Sequence, residues 1–132
     1  MEAIVRPPVP STATSCDVLM GAIAACENAL SPSRPLDALI AVGVFPGLAE
    51  LPQIEVGVWL HPDGSRVRAL RYTGSHTAAA TLVPPGYWID SRARGIAVAC
   101  ARGEWMEDHP VEEIALCLAA LRARLHESRD VN

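Results

Sequence analysis

Apolar and polar positions follow two different periods along this chain, and the switches between them mark its elements. In CDVLMGAIAACENAL, Leu19, Ile23, Cys26 and Leu30 recur at steps of four, three and four, the spacing of one helical face. Ser15 stands before that face as an N-cap, which predicts a first helix from there to about Leu30. Residues 1–14, rich in Pro, Ser and Thr, form a flexible arm ahead of a single domain over 15–132. SPSRP breaks the chain. Ser33 then caps a second helix with Pro35 in its first turn, Leu36, Leu39 and Ile40 facing inward and an end near Gly43.

Period two takes over in IEVGVWL, a predicted strand; HPDG turns the chain and SRVRALRYT returns it, giving a hairpin. Two registers are open. One sets Glu55 opposite Arg71 and Trp59 opposite Val67; a shift by one sets Val58 opposite Val67. Apolar residues on both faces imply a sheet covered on both sides. Ser75 caps a short helix reaching about Leu82, stopped by Pro84 and Pro85, and Gly86 releases the chain into the strands GYWID and GIAVACAR, joined by SRAR. GEWMEDHP then leads as a loop into VEEIALCLAALRARLHE. Val111, Ile114, Leu118, Leu121 and Leu125 give that helix one apolar stripe, Asp108 or His109 caps it, and acids at its start with bases at its end match the helix dipole. The order α-α-β-β-α-β-β-α predicts an α+β fold, with an antiparallel sheet of about four strands and helices before, between and after.

Composition refines this picture. The 132 residues suffice for one core without metal or disulfide. Half of them are apolar, but the chain has only one Phe, two Tyr and three Trp, and each small side chain buries little, which favours a homodimer that covers more surface. Cys16, Cys26, Cys100 and Cys117 form no CxxC pair and have no His at ligand spacing, so neither zinc nor another cofactor is expected and the thiols read as small hydrophobes of a reducing cytoplasm. No signal layout or membrane-length apolar run occurs. All eleven basic residues are Arg, the mark of a GC-rich genome, and the net charge of −4 argues against a general nucleic-acid binder. The charge is uneven, however: the window from Arg66 to Arg102 carries six Arg against Asp90 alone, and the other fourteen acids lie outside it.

Three chemical readings follow. Glu104, Glu107, Asp108, Glu112 and Glu113, with Trp105 among them, form an acidic face suited to a partner whose surface is built for nucleic acid. Arg66, Arg68, Arg92 and Arg94, with Trp88 as a stacking platform, are an alternative site for an anion or nucleotide. His76, between Ser75 and Thr77, is the centre of a third, a small hydrolase, ranked last because sequence neighbours do not face it as a base requires. No GxSxG, HExxH or glycine-rich phosphate loop is present.

The segments RPLDALI, YTGSHTAAATLVPPGYW and HPVEEIALCLAALRARL resemble, in this order, the phage ABA-sandwich domain of small phage and prophage proteins. Tyr72, Thr73, Ser75, Ala78, Ala79, Leu82, Val83, Pro84, Gly86 and Trp88 fit the family's middle segment. Ala115, Leu116, Cys117, Ala119, Ala120, Leu121 and Ala123 fit its last, and the likeness spans about residues 34–125. Thr77 stands where such proteins often carry Asp, which weakens the idea that an acid there is essential. The resemblance implies an α-β-α layered sandwich and a phage or prophage origin, with no established catalytic residues. The expected function is therefore non-enzymatic. It is that of an accessory protein acting in the cytoplasm of a bacterial host, which binds a host protein or ribonucleoprotein complex and inhibits a defence system in the manner of an anti-CRISPR, without a membrane partner and without direct general nucleic-acid binding.

Overall fold

A computed structural model describes residues 11–93 and 95–130 of the chain. Its fold is α+β. Two helices, α1 (Ser11–Asn28) and α2 (Arg34–Val44), precede a 3₁₀ turn (Pro46–Glu50) and strands β1 (Gln53–Glu55), β2 (Val58–Leu60) and β3 (Arg66–Arg68). A short helix α3 (His76–Ala80) leads to β4 (Trp88–Arg92), β5 (Gly95–Cys100) and β6 (Gly103–Glu107), and α4 (Glu112–Asp130) closes the order. The six strands make two antiparallel three-stranded sheets, β1-β2-β3 and β4-β5-β6, rather than one sheet of about four. Each expected pair of strands has gained a third, and the α-α, strands, α, strands, α sequence stands.

Both additions have a local cause. IEVGVWL is two strands, because Gly57 adopts φ +79° and turns the chain between Glu55 and Val58. The Gln53 side-chain oxygen accepts from the Gly57 N–H at 2.9 Å and fastens that turn. A Cβ at Gly57 would lie 2.8 Å from the Arg34 guanidinium, so glycine is required there twice over. GEWME, expected as loop, is β6: Cys100 pairs with Gly103 across a two-residue turn, placing Trp105 beside Val98 and Glu104 beside Ala99. In the first hairpin Trp59 faces Val67, as in the first of the two registers, while Glu55 pairs with Val58 and Arg71 lies beyond β3. Within this sheet only the central strand β2 is covered on both faces, with Val58 and Trp59 both buried; β1 and β3 are largely exposed.

The helices follow their caps. α1 begins at Ser11, four residues ahead of the expected cap at Ser15, since no proline interrupts Ser-Thr-Ala-Thr; the rest of the expected arm, residues 1–10, lies outside the described residues. The Ser33 hydroxyl accepts from Leu36 N–H at the start of α2, and the Ser75 hydroxyl accepts from Ala78 N–H at the start of α3. Leu36 and Ile40 face inward as expected. Leu39 does not: it is half exposed, and its place inside is taken by Asp37. The His109 imidazole starts α4, with Nδ1 accepting from Val111 N–H at 2.9 Å and Nε2 at 2.9 Å from the Ala29 carbonyl beyond α1.

The core is continuous through both sheets. Ile114 to Leu121 are buried without interruption, so this part of α4 is covered on every side and not along one stripe, in keeping with its packing against α1, α3, β5 and β6. Trp59 from one sheet and Ile96 and Val98 from the other join the same cluster. Cys26 and Cys117 are buried and unpaired within it, and burial, followed by the Asp37 charge, pushes the Cys26 thiol up to about 12.

Candidate contact site

The buried polar pair Asp37 and Thr73 organises the region around β3. Asp37 Oδ1 accepts from the Thr73 hydroxyl at 2.8 Å and from the Thr73 N–H at 2.9 Å, while Oδ2 accepts from Arg34 at 3.0 Å. The same guanidinium donates to the carbonyls of Ala69 and Leu70. An ionised carboxylate at this depth is tolerable only when charge and hydrogen bonds both compensate it, and here they do. The network ties the start of α2 to the segment after β3 and so sets the spacing between them.

That spacing leaves an apolar cleft of about 280 Å³ bounded by the end of α2, β3 and the end of α3. Ala41, Leu48 and Leu82 are its buried floor, with Val44, Val67 and Tyr72 as walls. The rim is unlike the floor. Phe45, the only phenylalanine, is 56% exposed, Leu70 is 47% exposed, and Arg68 stands beside them. Arg66, Arg68 and Arg71 are exposed and form no ion pair or side-chain hydrogen bond with any described residue. A smaller polar recess of about 230 Å³, lined in part by Arg34, Asp37 and Arg71, adjoins the network.

The acidic face expected from the sequence is not assembled. Glu104 and Glu107 lie on opposite faces of β6, because Glu104 shares a row with Trp88 and Glu107 with the buried Ile96. Each is already engaged. Arg92 bridges Glu104 at 2.6 Å and Asp90 at 2.9 Å, holding the Glu104 carboxyl below its ordinary range. Arg122 pairs with Glu107 at 2.6 Å and also with Glu27. Trp105 points inward between Tyr87 and His126, with ring centroids 5.9 and 4.9 Å away. Asp108, Glu112 and Glu113 remain together at the start of α4, where Asp108 and Glu112 are exposed and Glu113 is half buried.

The expected arginine site is divided in the same way. Arg66 and Arg68 belong to β3, whereas Arg92 and Trp88 belong to β4 in the other sheet, and Arg94 lies outside the described residues. Trp88 is half exposed with Met106 on the outer face of β4-β5-β6, a face whose charges neutralise one another through Arg92. His76 is exposed at the first position of α3, and the Ser75 hydroxyl beside it is committed to the cap. Among the described residues no three His, Cys, Asp or Glu side chains gather as metal ligands, and no helix is long and apolar enough to cross a membrane.

Sequence reasoning missed the cleft. Its walls come from residues 41–48, 67–72 and 81–82, and nothing in any one of these segments signals a recess. The exposed Phe45 directly before Pro46 is the single hint, since a helix-ending aromatic next to proline has no turn of helix behind which to hide. No family model, no curated protein and no solved structure matches this chain.

Proposed function

We propose that this chain works by binding a macromolecular partner through the α2-β3-α3 cleft. The observation that carries this reading is the apolar cleft itself, rimmed by Phe45 and Leu70, two large side chains left about half in water. Covering them would contribute on the order of 1 kcal/mol each, and a recess lets a partner's side chain be desolvated on several sides, as in interface hot spots. The outer face around Trp88 offers apolar area without a recess, and its Arg92 is spent on two carboxylates. A volume of about 280 Å³ lies just under the roughly 300–1,000 Å³ of small-molecule sites, which suits one or two inserted side chains better than a cofactor.

The resemblance of residues 34–125 to the phage ABA-sandwich domain supports a bacterial host protein or ribonucleoprotein as that partner, and inhibition of a host defence complex as the outcome. The test is capture from bacterial lysate with the wild type, a Phe45→Ser/Leu70→Ser variant and a Trp88→Ser/Met106→Ser variant, each checked for folding by circular dichroism. The wild type and the Trp88→Ser/Met106→Ser variant should retain the same partner, and the Phe45→Ser/Leu70→Ser variant should lose it. Retention by the cleft variant, or loss by the outer-face variant alone, overturns the reading.

A further inference from the structure

We infer that the segment entering the cleft is an acidic, extended stretch of polypeptide, its carboxylates held by Arg66 and Arg68 while a neighbouring apolar side chain fills the recess. This rests on the cleft being the contact site and adds the chemistry of what it takes.

The geometry of β3 points to that chemistry. Arg66 and Arg68 are two residues apart on one strand and both exposed, so their side chains leave the same face about 6.6 Å apart along the chain. An extended peptide presents alternate side chains at the same interval, so two carboxylates at positions i and i+2 meet the two guanidinium groups in register. Arg is suited to this because its planar fork takes a carboxylate with two parallel hydrogen bonds. β3 is the outermost strand of its sheet, so such a segment can lie alongside it without displacing another strand. Arg68 also lines the cleft, which couples the charged contact to the apolar one.

The nearby acids do not compete for these cations. Asp63, in the turn before β3, is engaged by the Ser65 hydroxyl and N–H and by His61. Glu55 belongs to β1, at the opposite edge of the sheet, two strand spacings or roughly 9.5 Å away. The contrast with Arg34, Arg92 and Arg122, each of which has a carboxylate partner within the chain, is what makes Arg66 and Arg68 available. A negatively charged segment would also be steered to this patch although the chain as a whole is acidic.

Fluorescence anisotropy with three labelled decapeptides tests this: alternating Glu and Leu, alternating Lys and Leu, and alternating Glu and Ser. The Glu-Leu peptide should bind, weaken by about tenfold or more with Arg66→Glu/Arg68→Glu, and weaken as salt rises. Phe45→Ser should weaken it as well. Equal binding of Lys-Leu, or insensitivity to the arginine variant, overturns the role of the arginines; equal binding of Glu-Ser overturns the role of the cleft. If lysate capture still depends on Phe45 and Leu70 while the peptides show no charge preference, the contact site stands and this inference falls. If capture does not depend on them, both fall.

Discussion

At the scale of single residues, Asp37 is the most consequential side chain. It accepts three hydrogen bonds, and its removal would take the acceptor from the buried Thr73 N–H and leave Arg34 without its counter-charge. Asp37→Ala should destabilise the fold by about 3 kcal/mol, read from urea denaturation, and Thr73→Val by about 1–2 kcal/mol. The two losses should not add in the double variant, because they share one network. The thiols give a second expectation. Cys26 and Cys117 are held protonated in the fold by burial, Cys26 up to about 12 against an ordinary 9.0. The unfolded chain therefore releases these protons first. Their contribution to stability is full below about pH 9 and is lost as pH rises toward 12, so the denaturation midpoint should fall across that interval. Replacing both by Ala should flatten the fall. Cys100 behaves in the opposite sense, since backbone N–H groups of the β5–β6 turn and the Tyr87 hydroxyl favour its thiolate. Alkylation of the native protein at pH 8 should modify Cys100 well before Cys26 or Cys117, as peptide mass mapping would reveal.

At the scale of elements, what was legible in the sequence was whatever a cap or a clean period announces. Ser33, Ser75 and the apolar run of α4 each announced a helix that is present. The errors share a cause: a two-residue turn inside an apparently continuous pattern. Gly57 sits at an alternating position of IEVGVWL, so the period hides the turn, and Gly103 opens a strand only because Cys100 closes one opposite. Leu39 is half exposed and Asp37 is buried because the second helix meets the Thr73 segment with a polar contact, which hydrophobic period alone does not encode. The turn at Gly57 has its own test. Gly57→Ala forces an L residue into φ +79° against the Arg34 guanidinium and should cost about 1–2 kcal/mol or more in thermal or urea unfolding. A neutral effect would show that β1 and β2 are joined less tightly than described.

At the scale of the whole molecule, the chain has resolved its uneven charge by internal pairing. Glu104, Glu107 and Glu27 are matched to Arg92 and Arg122, which takes two of the five acids out of the face that the sequence suggested and leaves Asp108, Glu112 and Glu113. Pairing also leaves over Arg66, Arg68 and Arg71 on and just after β3, and of these Arg68 lines the apolar recess. Sequence alone had no access to this, because the cleft depends on three segments meeting and the residual charge depends on who pairs with whom. The most direct measurement is site-specific photo-crosslinking in bacterial cells, with a benzophenone side chain placed at position 45 or at position 88. Crosslinking at position 45 to one dominant polypeptide, lost with Arg66→Glu/Arg68→Glu, is the predicted result. Products formed at position 88 but not at position 45 would contradict the assignment of the α2-β3-α3 cleft as the contact site.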